Sequence, residues 1–356
     1  MHEDFSAGRS SSSKTASGGS IPHPYCAMLA ICSDLDETPD GDAYYQLMRF
    51  LNTTEMTPHG QGVGLEVGNS IYFDMPPGQF SYWNTDDAGR AMVRALMQSG
   101  HIDCLHSFGD LATTRAQAGR ALEELVRHNC RLRVWVDHAV APTNFGADIM
   151  RGHGDEPGHP AYHSDLTCAY GIRYVWRGRV TSTIGQGKPP SLRHIGMWQH
   201  PVASMVTLLK EAVKQGVGAC GSDKFHMHWR NAPLTAAKLR DGRAVCEFLR
   251  CNPHWGGVSS ADTARGIGDV LTIRFLDRLV ERRGVCILYT HLGKTNRKSG
   301  CLLNKNAIMG FRRLAEYFNN GKILVTTTSR LLEYCDRSTR QDISPVPWSA
   351  LVFPNL

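Results

Sequence analysis

The chain has 356 residues, 42% of them hydrophobic, which is enough for one large α/β barrel or two ordinary domains and excludes a disordered or fibrous chain. Its formal net charge of +6, from 39 Lys and Arg against 33 Asp and Glu, is scattered apart from modest basic clusters at Arg282-Arg283 and 294–298, so no nucleic-acid partner is expected. The 11 cysteines include no C-x-x-C pair, which argues against a zinc ribbon or a thioredoxin-like redox site; their odd number and apolar settings suit reduced core thiols of a cytoplasmic protein.

No stretch approaches the ~20 apolar residues that cross a bilayer, and the first residues lack the apolar core of a secretory signal. A cytoplasmic location without a membrane span is therefore expected. Residues 1–22, rich in Ser and Gly, are expected to be a disordered tail. One domain is expected over 23–340 and a second tail over 341–356. From Tyr25 onward short apolar runs alternate with helical patterns, as in a parallel sheet with helices outside it.

The first strand, A-M-L-A-I-C at 27–32, ends in S-D-L-D, where alternation points Asp34 and Asp36 the same way. Two carboxylates so close are costly unless a cation lies between them or one takes up a proton. Residues 42–51 are predicted helical, 64–67 and 70–73 extended, and 86–99 helical behind capping acids. A strand at 102–105 leads into H-S-F-G-D (106–110), a helix follows at 114–128, and a strand at 132–136 ends in Asp137-His138. The Gly- and Pro-rich loop 142–160 is long enough to be functional. A helix is predicted at 164–170 and a strand at 172–176; 178–260 has no regular pattern. Then come a helix at 262–283, a strand at 285–289 running into Thr290-His291, a helix at 305–318, a strand at 323–326 and a helix at 329–335.

Four strand ends thus carry Asp or His: Asp34 with Asp36, His106 with Asp110, Asp137 with His138, and His291. In a barrel of parallel strands such ends converge on one rim, although a single histidine at a strand end is ordinarily a satisfied polar group. Zinc takes imidazole and carboxylate ligands and keeps a position for water when catalytic. Asp36, His106 and either Asp110 or His138 would supply three ligands, Asp34 a base for the water, and His291 an acid for the leaving group.

These residues carry a resemblance. S-D-L-D, H-S-F-G-D, Y-G-I-R-Y-V-W and I-L-Y-T-H, in that order over 25–335, resemble the successive motifs of the polysaccharide deacetylase family, carbohydrate esterases that remove N- or O-acetyl groups from glycans. V-T-T-T-S-R-L-L-E-Y is similar to the closing strand and helix of such proteins. The resemblance implies an α/β fold of distorted (β/α)7-barrel type, with helices outside and a long irregular insertion. It implies a divalent metal, zinc first, and an acetylated glycan or sugar-containing precursor as substrate. It makes Asp34 the base, Asp36 and His106 ligands, and His291 the acid.

The chain departs from the family pattern H-S-x-x-H at Asp110, so the third ligand is Asp110 or His138. It also has P-A-Y-H-S-D (160–165) where the family has Arg-Pro-Pro-Tyr, whose arginine orients the base. His163 and Asp165 are candidates to line the pocket, against helix capping by Ser164 or Asp165. Asp137 either orients His138 or reacts. Asn144 and Arg250 are candidate substrate contacts, with a turn residue and a surface charge as the plainer readings.

Two rival functions remain. D-L-D-E-T also spells the D-x-D-x-T signature of haloacid dehalogenase-type, magnesium-dependent phosphatases, with the first Asp as nucleophile. That reading needs a later Lys, for which Lys224 or Lys294 could serve, and leaves Y-T-H and V-D-H unexplained. A non-catalytic glycan-binding relative is the third, opposed by the presence of both Asp34 and His291. The H-x-H of His226 and His228 would share one strand face, and His254-Trp255 could carry a sugar ring; packing is the plainer fate of both.

Overall fold

The computed structural model describes residues 21–34, 36–190, 201–253, 263–294 and 302–336. The two expected tails, apart from 21–22, and the His254-Trp255 pair lie outside them. Within them the protein is a mixed α/β fold built on a curled, mostly parallel sheet with helices against its outer face.

In chain order the strands are β1 (Ala27–Ser33), β2 (Met56–Thr57), β3 (Gly60–Gln61), β4 (Asn69–Ile71), β5 (Ile102–His106), β6 (Val134–Val136), β7 (Tyr174–Trp176), β8 (Val180–Thr181), β9 (Leu234–Lys238), β10 (Ala244–Phe248), β11 (Arg250–Cys251), β12 (Val285–Thr290) and β13 (Ile323–Thr326). β1 is the hub. It pairs in parallel with β12 from Met28↔Val285 to Ser33↔Thr290, with β13 along its first half, and with β4 at Ser33. From β4 the parallel neighbours β5, β6 and β7 follow in chain order. β7 then pairs with β10, β8 with β11, and β11 with β12. β9 adds antiparallel to β10, and β2 with β3 forms a separate hairpin.

The helices begin where the caps say they should. In α1 (Gly41–Asn52) and α2 (Asp87–Gln98) the Asp40 and Asp86 carboxylates accept from Ala43 and Gly89 backbone N–H groups, and α3 (Arg115–Arg127) opens with a Thr114/Gln117 capping box. α4 (Ser164–Tyr170) has the predicted bounds. The extended run expected at 64–67 is a loop instead, because its donors satisfy the end of α1: Gly64 N–H and Leu65 N–H bond to the carbonyls of Thr53 and Leu51, and Val67 N–H to Asn52 Oδ1.

The unpatterned segment 178–260 holds β8 to β11 together with α5 (Pro201–Ala219) and α6 (His226–Arg230). His226 and His228 therefore lie on a helix rather than a strand, and each ring bonds a different backbone carbonyl, that of Asp223 or Val180. The helix expected at 262–283 is two pieces, α7 (Ile267–Val270) and α8 (Ile273–Arg282). The break falls where the Thr272 hydroxyl caps the second piece by accepting from Phe275 N–H. α9 (Lys305–Asn319) and α10 (Thr328–Cys335) complete the chain.

Period-two alternation sorts each strand between two cores. Ala27, Leu29 and Ile31 of β1 pack outward with Leu276, Phe311 and Leu314 of the helices. Leu105, Trp135 and Val175 pack outward with Val93, Leu96, Leu122 and Leu125. Met28, Ala30 and Cys32 face inward with Cys104, Val134, Val136, Tyr174, Trp176, Phe248, Ile287 and Tyr289. Extended by two residues, the inward series arrive at Asp34, His106, His138, Arg250 and His291.

Candidate functional site

Asp34 leaves β1 at its carboxyl end, tied to β12 by its backbone N–H, which donates to Thr290 O at 2.8 Å. Arg250 grips its carboxylate with two bonds, Nη1 to Oδ2 at 2.7 Å and Nη2 to Oδ1 at 3.1 Å. Ser70 Oγ donates to Oδ1 at 3.2 Å. His106 Nδ1 lies 3.6 Å from Oδ1 and His291 Nε2 3.8 Å from Oδ2. The ion pair is out of solvent, at 1% exposure for Asp34 and 0% for Arg250. Burial pushes the Asp34 carboxyl up, but Arg250, His106 and His291 outweigh it and hold its pKa below the ordinary value.

Arg250 is thus neither a surface charge nor an open substrate contact. Its guanidinium lies 4.1 Å from the Trp176 ring centroid and 5.0 Å from that of Tyr289, a desolvated cation–π setting. Burial lowers its pKa, yet the Asp34 charge raises it beyond the usual guanidinium value. The cation that paired aspartates demand is supplied, for Asp34, by the chain itself.

Asp36 sits closer to the surface. Its Oδ1 accepts from the Tyr72 hydroxyl. Its Oδ2 lies 3.2 Å from His138 Nε2, 3.4 Å from His291 Nε2 and 3.7 Å from Lys294 Nζ. Burial again raises the carboxyl pKa, and the contacts with His138 and His291 bring it well below normal. His138 lies between two carboxylates: its Nδ1 is 2.9 Å from Asp110 Oδ1, an ion-pair contact without hydrogen-bond alignment. Burial lowers its pKa, but Asp110 and Asp36 raise it to about 10. Asp110 returns to this position over Gly109, at φ +100, where a side chain would collide with the Asp74 carbonyl.

A polar chain joins the two aspartates. His106 Nδ1 is 3.1 Å from Ser70 Oγ and its Nε2 is 3.4 Å from Tyr72 Oη, with the two rings stacked at 4.3 Å. Burial drives the His106 pKa down to about 3 against the opposing pull of the Asp34 charge. Burial and the nearby Asp36 charge keep Tyr72 protonated.

The structure therefore brings together Asp34, Asp36, His106, His138, His291 and Arg250, with Asp110 reaching the group through His138. The other candidates do not line it. His163 is buried against Phe108, Trp135 and Phe145. Its Nε2–H donates to Thr143 O at 2.8 Å and its Nδ1 accepts from Thr167 Oγ1 at 2.8 Å. Asp165 pairs with Arg115 at 2.6 and 2.7 Å, fastening α4 to α3. Asn144 clamps a turn: its Oδ1 accepts from His138 N–H and its Nδ2 donates to His138 O, each at 2.9 Å. Asp137 neither orients His138 nor faces the rim, since its carboxylate accepts from Trp135 Nε1, Phe145 N–H and Gly146 N–H.

Sequence reasoning missed Ser70 and Tyr72, although the alternation at 70–73 places them on one side of an extended run. Lys294 was weighed only as a phosphatase lysine, yet it stands beside Asp36.

Among the described residues no group of three or more His, Cys, Asp or Glu is arranged to hold a metal ion. The donors fit a divalent ion in kind. Asp36 Oδ2 and His138 Nε2, 3.2 Å apart, match the separation of about 3.3 Å between two ligands on a tetrahedral zinc with ~2.0 Å bonds. Asp110 lies 2.9 Å from the other ring nitrogen of His138, on the side away from Asp36, in an ion-pair contact. Of the two candidates His138 faces Asp36 directly and Asp110 contacts His138, while the Tyr72 hydroxyl stands between Asp36 Oδ1 and His106 Nε2. Compared with known proteins, the chain matches no family model and no curated protein.

Proposed function

We propose that the protein is a metal-dependent hydrolase that removes acetyl groups, N- or O-linked, from a glycan or sugar-containing precursor. The observation that carries this reading is the delivery of two carboxylates, three imidazoles and a buried guanidinium to one rim from the inward series of separate strands. Removing an acyl group needs a proton acceptor, charge stabilisation and a proton donor within reach of one another. Asp34, oriented by Arg250, is the acceptor. His291, 3.8 Å from Asp34 and 3.4 Å from Asp36, is the donor to the leaving group. Asp36 and His138 would hold the ion, zinc by donor type, with Asp110 steadying His138 and His106 the nearest further imidazole. When bound, such an ion polarises an acyl oxygen and lowers the pKa of a bound water.

We also read the sheet as a distorted (β/α)7-type barrel that is not hydrogen-bonded all the way round: pairings run from β12 through β1, β4, β5, β6 and β7 to β10, and the chain itself passes from β10 over Leu249 into β11, which pairs with β12. Two features weigh against the phosphatase reading. Both oxygens of Asp34 are engaged by Arg250, which suits an oriented base better than a nucleophile. Lys294 also approaches Asp36 rather than Asp34.

Purified protein should contain close to one zinc-class ion per chain and release acetate from acetylated sugars. Asp34→Asn should keep the ion and lose roughly 10²–10⁴-fold in turnover, the usual contribution of a positioned base. Phosphate release from a generic phosphoester, restored by magnesium alone, would replace this reading with the phosphatase one.

A further inference from the structure

Helix α5 is amphipathic the wrong way round. The half turned toward the protein carries Ser204, Thr207, Glu211 and Lys214, the first three of them buried. Glu211 accepts from Thr181 Oγ1 at 2.8 Å, from Ser182 N–H at 3.2 Å and from Lys214 Nζ at 2.7 Å. Lys214 also donates to Val180 O at 3.0 Å. These bonds fix the rotation of the helix about its axis, so its other half cannot turn inward.

That other half is hydrocarbon. Val202, Met205, Val206, Leu209, Val213 and Val217 recur at helical spacing and are 39–78% exposed. Ala212, Gly216 and Ala219 between them are exposed as well. Trp229, on the packed neighbour α6, is 52% exposed. The charges exposed on α5, α6 and their connection are three cations, Lys210, Lys224 and Arg230, and one anion, Asp223.

We infer that this face of α5 docks the protein onto an anionic lipid surface, with the valine and leucine side chains in the acyl boundary and the cations at the headgroups. The inference is independent of the proposed reaction. An apolar helical stripe edged by Lys and Arg, with a nearby Trp, is what an in-plane interfacial helix requires. Among the described residues no helix is long and apolar enough to cross a membrane, so α5 lies on the surface rather than through it. A second copy of the chain is the weaker occupant on area. A 19-residue helix is about 28 Å long and ~10 Å across, a footprint of roughly 300 Å². A stable interface takes about 800 Å² from each partner.

The test is co-sedimentation of the full-length protein with vesicles of phosphatidylcholine alone or of phosphatidylcholine with 30% phosphatidylglycerol, alongside analytical ultracentrifugation without lipid. The expected result is a monomer that binds the anionic vesicles at least tenfold more tightly than the neutral ones. The variant Val206→Ser/Leu209→Ser/Val213→Ser, altered only at exposed positions, should lose that binding while keeping its circular dichroism. Lys210→Glu/Lys224→Glu should weaken it and leave the apolar stripe intact. Failure to bind either vesicle overturns the inference, as does equal binding to both. So does a dimer that the serine variant converts to monomer, because a second copy then covers the face.

Discussion

The rim of the sheet and the outer face of α5 both invert the usual distribution of polar and apolar groups, in opposite senses. At the rim, charge is buried: Asp34 and Arg250 are removed from water together, each the other's main partner. On α5, hydrocarbon is exposed while the polar side of the helix is satisfied within the chain by Glu211 and its donors. Buried charge has to be compensated inside the fold, so each rim residue depends on its neighbours. Exposed hydrocarbon places no such demand on the fold, and among the described residues nothing covers it.

The sharpest way to break this contrast is Arg250→Met. It leaves the Asp34 carboxylate buried without its cation, and loss of about 3–5 kcal/mol in unfolding free energy is expected by urea titration. Asp34→Asn in the same background should recover part of that loss. An unchanged midpoint for Arg250→Met would falsify mutual dependence at the rim.

A smaller effect is expected from pH. Burial lowers the His163 pKa to about 4, below the unfolded value of about 6.5. The unfolded chain therefore takes up a proton below pH 6.5 that the folded chain refuses, and the contribution present at neutral pH is lost as the pH falls toward 4. Between pH 7 and 5 this group alone should remove about 2 kcal/mol. In His163→Phe, folding free energy should be lower at pH 7 but vary less between those two pH values. An identical pH slope would mean that His163 is not held neutral. The smallest effect belongs to the α5 triple serine variant, whose unfolding free energy should stay within about 0.5 kcal/mol per site of the parent, as exposed substitutions do. A larger drop would show that the fold does rely on that face.

The legible parts of the chain were those with strong local chemistry. β1, β5, β6 and β12 announced themselves as apolar runs ending in Asp or His, α2 by its capping acids with Asp86 at the cap, and α3 by Ala118, Leu122 and Leu125 at helical spacing. Convergence of Asp34, Asp36, His106, His138 and His291 followed from inward alternation on parallel strands. α5 was passed over although Val202, Met205, Val206, Leu209, Val213 and Val217 keep helical spacing; what the sequence could not show is that this stripe faces outward, because periodicity is the same whichever side packs. Arg250 follows Phe248 in an inward series, but with β10 and β11 separated at Leu249 that series was too short to recognise, and an arginine outside a recognised strand reads as exposed. His163 and Asp165 could not be sorted by local sequence. What takes them from the pocket is contact with Phe108, Trp135 and Arg115, many residues away along the chain.

Arg250, laid across the interior between Trp176 and Tyr289, acts as a stopper. On its other side Met28, Ala30, Cys104, Val134 and Ile287 form a buried apolar cluster. Exposure falls along the polar groups from 41% at Asp110 and 27% at Lys294 to 14% at Asp36, 13% at His138 and 1% at Asp34. The Asp34–Arg250 pair is thereby sealed from solvent, while Asp36 and His138 each keep an edge turned toward it.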